Sequence, residues 1–155
     1  VFMRNCNCNT DSGGGAYFAY WNKVTMTNCL VANNCAGSDS GTKGGGLFFS
    51  YGVHATLTNC SIVDNNREGI FVAYVPGSFR LYNCIVWGNE RGDLGTVEGY
   101  DHCPYIYHCN MADGDCEGEN GNICEDPLFV SGPQGDYYLS HAGVNSKKKE
   151  QKKAK

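Results

Sequence analysis

The feature that most constrains this chain is an internal repeat anchored on the dipeptide Asn-Cys. The stretch VTMTNCLVANN, residues 24–34, is echoed 31 positions later by ATLTNCSIVDN, residues 55–65. Counting one degenerate copy, the anchor recurs at intervals of 23, 31, 24 and 25 residues, at Asn5-Cys6, Asn28-Cys29, Asn59-Cys60, Asn83-Cys84 and His108-Cys109. Self-similarity with a period of about 20 to 50 residues indicates a solenoid, in which each repeat packs only against its neighbours.

Within each repeat the hydrophobic pattern is that of short strands. VTMT and ATLT alternate apolar and polar side chains, as a strand with one buried face does. A second short strand follows each Asn-Cys pair, and a glycine then opens an apolar run such as GLFFSY. No segment before the lysine tail shows a helical period with caps. The sequence therefore predicts an all-β parallel β-helix of about five coils over residues 1–140, followed by a lysine-rich C-terminal tail over residues 141–155.

The Asn-Cys pairs are interpreted as structural. Stacked coils lie about 4.8 Å apart, so the same position in each coil forms a column. An asparagine at a corner can exchange hydrogen bonds with those above and below it, and a cysteine is small and apolar enough for an inward corner. The sequence predicts that this ladder consists of Asn5, Asn28, Asn59, Asn83, Cys6, Cys29, Cys60, Cys84 and Cys109.

Charge is distributed unevenly along the chain. The segment 147–155 holds six lysines and one glutamate, a net charge of +5, which leaves six basic and fifteen acidic residues, a net charge of −9, for the rest. An acidic body argues against nucleic acid as a partner. No run of 18 apolar residues occurs, so the sequence predicts no membrane span.

Four of the ten cysteines fall in loops rather than in the repeat columns, at Cys35, Cys103, Cys116 and Cys124. In an exported protein such cysteines favour up to two disulfides, for which three connectivities exist. The favoured pair is Cys116–Cys124, because it would close the glycine-rich loop between them.

The same loop, DGDCEGENGNICED at residues 113–126, partly matches an EF-hand calcium loop. The twelfth position of that motif is Cys124 instead of glutamate, and no helices flank it. No cofactor is therefore predicted. A looser calcium site formed by the oxygens of Asp113, Asp115 and Glu117 stays open as the alternative.

The phrases GGGLFFSYGVHATLTNCSIVDNN, LYNCIVWGNE and GNICEDPLFVSGPQGDYYLS resemble the right-handed parallel β-helix repeat proteins of bacterial cell surfaces and secretomes. These are related to polymorphic outer-membrane-protein repeats and distantly to the pectate-lyase-like superfamily. The resemblance covers about residues 1–140, and its most specific part is the closing phrase. It implies a right-handed solenoid with a C-terminal closing segment and export from the cell, and it transfers no reaction.

A polysaccharide lyase or hydrolase on such a fold needs carboxylates clustered across adjacent coils. The loop column six residues after each corner asparagine does not stack acids, since it reads Asp11, Asn34, Asn65 and Asn89. The best charged group is Asp64, Arg67 and Glu68 in one turn, and a single group of this kind is more typical of a solvated corner. The sequence favours a protein without catalytic activity, and a lyase or glycoside hydrolase is the alternative.

A carbohydrate binder should present an outward row of aromatic side chains. If residues 16/18, 47/49 and 70/72 face inward, then Tyr17, Phe48 and Phe71 form such a row. A second aromatic column, at Tyr20, Tyr51, Tyr74 and Tyr100, is interpreted as a stack that supports the coils.

Taken together, these patterns predict a non-enzymatic extracellular structural protein, secreted or displayed at the cell surface. Val1 already falls in the inward column in register with Val24, so we expect an open strand edge at the first coil. Complementary open edges favour head-to-tail self-association in a surface fibre, and a fragment of a longer stalk or adhesin is the alternative to a fibre subunit. A carbohydrate-binding or lyase-like β-helix is the remaining functional alternative.

Overall fold

The computed structural model describes residues 1–6, 12–39, 41–73, 78–96, 105–114, 116–132 and 135–139. Within these ranges the chain is all-β and has no α-helix. The strands are β1 Phe2–Arg4, β2 Ala16–Phe18, β3 Lys23–Thr27, β4 Leu30–Ala32, β5 Leu47–Ser50, β6 His54–Thr58, β7 Ser61–Val63, β8 Ile70–Ala73, β9 Phe79–Tyr82, β10 Ile85–Trp87, β11 Leu94–Thr96, β12 Ile106–Tyr107, β13 Asn110–Met111, β14 Phe129–Gly132 and β15 Gly135–Leu139.

The first thirteen strands form three parallel sheets that run along the solenoid. The first sheet has the order β1-β4-β7-β10-β13, the second β2-β5-β8-β11 and the third β3-β6-β9-β12. Consecutive strands of the chain belong to different sheets, so each turn of the chain adds one strand to each sheet. The result is a stack of about five rungs, the arrangement of a β-helix-like solenoid.

Alternation within the strands fills a single apolar column. In the third sheet Met26 pairs with Leu57 and Leu57 with Leu81, and all three side chains are buried in the core. The second sheet contributes Leu47 and Phe49 from β5 in the same way. The predicted inward faces of these strands are therefore confirmed, and the parallel register places like positions of successive repeats in contact.

Sharp corners between the third and first sheets explain why Asn-Cys recurs. The corner residues Asn28, Asn59, Asn83 and the degenerate His108 all have left-handed backbone, with φ values between 51° and 54°. Asparagine adopts this conformation at less cost than most side chains, because its short polar side chain bonds locally. A second left-handed column, which includes Asp64 with φ 51°, follows the strands of the first sheet.

The chain divides into two compact units, Val1–Glu125 and Asp126–Lys155. In the second unit β14 and β15 pair as an antiparallel hairpin, in which the Phe129 and Tyr137 rings meet edge to face. The predicted lysine-rich tail, residues 141–155, lies outside the described residues. In the part of the chain that is described, no helix is long and apolar enough to cross a membrane.

Candidate functional site

The outward face of the third sheet carries mostly polar side chains, arranged in columns whose residue types differ from one another. Because apolar residues at alternate positions point into the core, the positions between them project to solvent. The residues of the first outward column lie at the start of each strand or directly before it, and those of each next column lie two residues further along the strand. The columns comprise Lys23, His54 and Ser78, then Thr25, Thr56 and Arg80, and then Thr27, Thr58, Tyr82 and Tyr107.

Five of these side chains line a groove of about 440 Å³ across three rungs, namely Lys23, His54, Thr56, Ser78 and Arg80. His54 is held in place by the next rung: the Ser78 N–H donates to His54 Nδ1 at 3.2 Å, and Ser78 Oγ lies 3.3 Å from the same nitrogen. In the neutral ring, Nδ1 is then the acceptor and Nε2 carries the proton. The groove therefore presents ring N–H, hydroxyl and cationic donors together.

The groove differs in charge from the rest of the body. None of its lining residues is acidic, and within the described ranges neither Lys23 nor Arg80 forms an ion pair. Beside it, Tyr82 and Tyr107 stack with ring centroids 5.2 Å apart. A run of cations and hydroxyls without carboxylates has the chemistry of a site for an anionic ligand that also carries hydroxyls.

Sequence reasoning missed this groove because its main column contains three unlike residues. Lys23, His54 and Ser78 share one offset, five residues before each corner asparagine. A search for recurring residue types passes over such a column. Comparing the outward offsets between repeats by charge and hydrogen-bonding capacity would have found it.

The hydrogen-bonded asparagine ladder lies in a different column from the predicted one. Asn34 Nδ2 donates to Asn65 Oδ1 at 3.1 Å, and Asn65 Nδ2 donates to Asn89 Oδ1 at 2.8 Å, with all three residues buried. The predicted members Asn5, Asn28, Asn59 and Asn83 are exposed at the corners. Their backbone N–H groups link the rungs, as where Asn59 N–H donates to the Tyr82 carbonyl at 3.0 Å. Left-handed backbone, and not a side-chain ladder, is therefore the physical reason for the corner asparagines.

The cysteine half of the predicted ladder divides into one exposed and four buried thiols. Cys6 is exposed, whereas Cys29, Cys60, Cys84 and Cys109 are buried free thiols in the core column. The Cys84 N–H donates to Cys109 Sγ at 3.4 Å. A separate hydrogen bond between the Cys84 and Cys109 side chains raises the pKa of the Cys84 thiol to about 12. Such a thiol stays protonated and unreactive, which suits a packing role.

The predicted Cys116–Cys124 disulfide is wrong. Cys124 carries a free thiol, whose sulfur donates to the Ala112 carbonyl at 3.2 Å. Cys116 is buried and disulfide-bonded, so its partner is not Cys124, and closure of the loop between them does not determine the pairing.

The candidate catalytic group Asp64, Arg67 and Glu68 does not form an open site. Arg67 is only 2% exposed, and its Nε, Nη1 and Nη2 donate to three carbonyls of the 37–42 loop at 2.7 to 3.0 Å. Glu68 is also buried and accepts from the Gly44 N–H at 2.9 Å. Asp64 is exposed at its left-handed corner. Two of the three side chains therefore fasten a loop, which leaves no base and acid facing a common substrate position.

The calcium candidates are not assembled within the described residues, since Asp115 lies outside them and no group of three or more metal-ligating side chains occurs in the rest. Asp113 instead accepts a hydrogen bond from the Asp93 N–H. Burial, followed by the charge of Asp113, raises the pKa of Asp93 to about 6. Asp93 Oδ1 accepts from Asn89 Nδ2 at 3.1 Å, so this carboxylate ends the asparagine ladder.

The predicted carbohydrate-binding row forms in register but is largely covered. Tyr17 stacks on Phe48 at 5.0 Å, and Phe48 stacks on Phe71 at 5.5 Å. Tyr17 is 47% exposed, whereas Phe48 and Phe71 are each 9% exposed. Lys43 Nζ lies 5.6 Å from the centre of the Phe71 ring. Only Tyr17 offers an accessible surface, so this row is not an open platform.

Comparison of the chain with protein-family models, with curated proteins and with solved structures found no match.

Proposed function

We propose that this chain is a non-enzymatic, right-handed parallel β-helix of the secreted or cell-surface type, which binds acidic polysaccharide through the outward face of its third sheet. The observation that carries the proposal is the groove of Lys23, His54, Thr56, Ser78 and Arg80 on an otherwise acidic protein. A polysaccharide with carboxylate or sulfate groups supplies both the anions for the cations and the hydroxyls for the serine and threonine.

The fold assignment rests on two supports. Parallel strands joined by a crossover connection are right-handed in about 98% of cases because of strand twist. The resemblance to bacterial cell-surface β-helix repeats, given above on three phrases of the sequence, points the same way and is the reason for placing the protein outside the cell. The absence of catalysis is proposed because Arg67 and Glu68 have structural partners.

The test measures binding of a hexuronic acid oligosaccharide by calorimetry at low ionic strength. Because each exposed ionic contact contributes up to about 1 kcal/mol, Arg80→Gln and Lys23→Gln should each weaken binding about fivefold. The affinity of the unaltered chain should fall as salt is added. Arg91→Gln removes an exposed arginine outside the groove and serves as the matched control.

No binding by the unaltered chain to carboxylated or sulfated oligosaccharides would refute the proposal. Equal losses in Arg80→Gln and Arg91→Gln would refute the groove as the site, because binding would then follow only the net charge.

A second function, as a head-to-tail subunit of a surface fibre or part of a longer stalk, is favoured by one observation. All three sheets begin at strands of one rung, β1, β2 and β3, each of which has a neighbouring strand on one side only among the described residues. An unpaired edge of this kind can accept a strand from a second copy. This function is compatible with polysaccharide binding, because the groove lies on the lateral face.

A further inference from the structure

Trp21 is held flat against the backbone of the next rung while most of its surface faces solvent. In the repeat register Trp21 stands above Gly52, and the backbone N–H of Trp21 donates to the Tyr51 carbonyl at 2.9 Å. A Cβ added to Gly52 would lie 2.6 Å from Trp21 Cε3, so the indole occupies the space that a side chain would fill. Gly52 is buried beneath it, whereas Trp21 itself is 69% exposed.

Two tyrosines extend this aromatic surface. Tyr20 and Tyr51 stack across the same two rungs, with centroids 5.2 Å apart and planes inclined by only 3°. The stack predicted from the sequence is thus confirmed for these two members, while Tyr74 and Tyr100 lie outside the described residues. Tyr20 is 72% exposed, which is far more than a side chain buried to support a coil would be.

The backbone under these rings is strained. Tyr20, Trp21 and Tyr51 all have positive φ, between 50° and 61°. For bulky residues the left-handed conformation costs roughly 1–2 kcal/mol each, and such strain is concentrated at ligand sites. Most of the other left-handed positions carry glycine or asparagine, such as Gly88 and Asn83, so the geometry alone does not require aromatic residues here.

Tyr20, Trp21 and Tyr51, here called the aromatic platform, directly precede residues of the groove in the sequence. Lys23 follows Trp21 by two residues, and His54 follows Tyr51 by three. Lys23 and His54 begin the paired strands β3 and β6 and both line the groove. The neighbouring residue is polar: Asn22 lies between Trp21 and Lys23 in the sequence, and its Nδ2 donates to the Ala19 carbonyl at 2.6 Å. Flat aromatic faces rimmed by hydrogen-bonding and charged groups suit a ligand that has both an apolar face and hydroxyls.

We propose that Trp21, together with the neighbouring Tyr20–Tyr51 stack, is a stacking site for the apolar ring face of a sugar residue in the same polysaccharide chain whose anionic group lies in the groove. The inference rests on the proposed function and adds its second subsite. The ligand is accordingly a chain of at least two sugar residues, one held by charge and its neighbour by ring stacking.

The experiment uses the full chain carrying Trp87→Phe, in which Trp21 is the only tryptophan. A hexuronic acid oligosaccharide and its carboxyl-reduced neutral counterpart are titrated while Trp21 emission and acrylamide quenching are recorded. We expect the charged oligosaccharide to shift the Trp21 emission to shorter wavelength and to reduce acrylamide quenching at least about twofold.

The affinity is measured in the protein that retains Trp87. There, Trp21→Ala should weaken binding about tenfold at every salt concentration, as loss of an aromatic contact does, and Trp21→Tyr should restore most of the affinity. Tyr138→Ala removes an exposed aromatic outside the platform and should bind like the unaltered chain.

The outcomes separate the two proposals. If Arg80→Gln weakens binding while Trp21→Ala does not, and Trp21 stays accessible to acrylamide in the complex, the platform is refuted and the groove stands. If Trp21→Ala weakens binding and Arg80→Gln does not, the groove is refuted and the platform stands. Absence of binding by the unaltered chain refutes both. Protection of Trp21 that grows with protein concentration without glycan would assign the rings to a contact between copies and overturn the platform.

Discussion

Replacing Asn65 with alanine tests whether the buried amide ladder carries the stability of the solenoid. The side chain of Asn65 makes four hydrogen bonds: Oδ1 accepts from Asn34 N–H at 3.0 Å and Asn34 Nδ2 at 3.1 Å, while Nδ2 donates to the Val31 carbonyl at 3.3 Å and to Asn89 Oδ1 at 2.8 Å. Truncation leaves the Asn34 N–H without this acceptor in a buried column, which costs about 1–3 kcal/mol. Asn34 Nδ2 keeps the Met3 carbonyl and Asn89 Oδ1 keeps the Asn65 N–H, so the remaining losses are nearer 1 kcal/mol each. With three remaining losses added to the first, the total is at least about 4 kcal/mol.

The assay is urea unfolding followed by circular dichroism. With a slope of about 2 kcal/mol per molar urea, a loss of 4 kcal/mol lowers the midpoint by about 2 M. The matched comparison is Asn59, an exposed corner residue with φ 54°. Asn59→Gly should change stability little because glycine adopts this conformation freely, whereas Asn59→Ala should cost roughly 1–2 kcal/mol from left-handed strain alone.

The reasoning about the two asparagine columns fails on either of two results. If Asn59→Gly is as destabilising as Asn65→Ala, the corner side chains contribute a ladder of their own. If the urea midpoint of Asn65→Ala lies within about 0.5 M of that of the unaltered chain, the loss is no more than about 1 kcal/mol at a slope of about 2 kcal/mol per molar, and the buried amides contribute little.

Two further predictions concern pH and assembly. Because the pKa of Asp93 rises from 3.8 to about 6 on folding, protonation of this carboxyl group stabilises the fold. The stabilisation is complete below about pH 4 and is lost as the pH rises through 6, a difference of about 3 kcal/mol in the free energy of unfolding. Asp93→Asn should remove this pH dependence. Equal pH dependence of unfolding in the two proteins between pH 4 and 7.5 would contradict the assignment. If the chain is a fibre subunit, the full 155-residue protein should form thin, unbranched, salt-sensitive polymers at low ionic strength, and a monomer by sedimentation under those conditions would exclude this.

The sequence predicted the strands and their inward faces because one physical rule determines both. A strand with one buried face must alternate, so VTMT and ATLT already place Met26 and Leu57 in the core, where the structure finds them paired. Stacking of like positions then follows from the repeat interval. The second short strand is equally clear, since Val31 and Ile62 pair with no exposure of either side chain.

The roles of the asparagines were not predictable from the same pattern. Asn59 and Asn65 are both recurrent, both polar and six residues apart. What distinguishes them is geometry: one has left-handed backbone and faces solvent, while the other points into the solenoid beneath a neighbouring amide. Periodicity locates a column but does not say on which side of the backbone its side chains hydrogen-bond. The disulfide prediction failed for a related reason, because loop length constrains which cysteines can meet without selecting the pair that does.

The aromatic platform and the groove share a property that explains why a search for repeated residues passed over them. Inward columns must be filled by apolar side chains in every rung, since each apolar layer packs on the next at a fixed spacing. Outward columns carry no such requirement, so a residue type that changes from rung to rung, as Lys23 to His54 to Ser78 does, is free to serve a ligand. Trp21 shows the strongest form of this freedom, because the position beneath it is a glycine whose missing side chain makes room for the indole. Trp21 and Gly52 together hold an exposed ring in one orientation without packing it into the hydrophobic core. Function in this solenoid is therefore expected where the repeats differ, and stability where they agree.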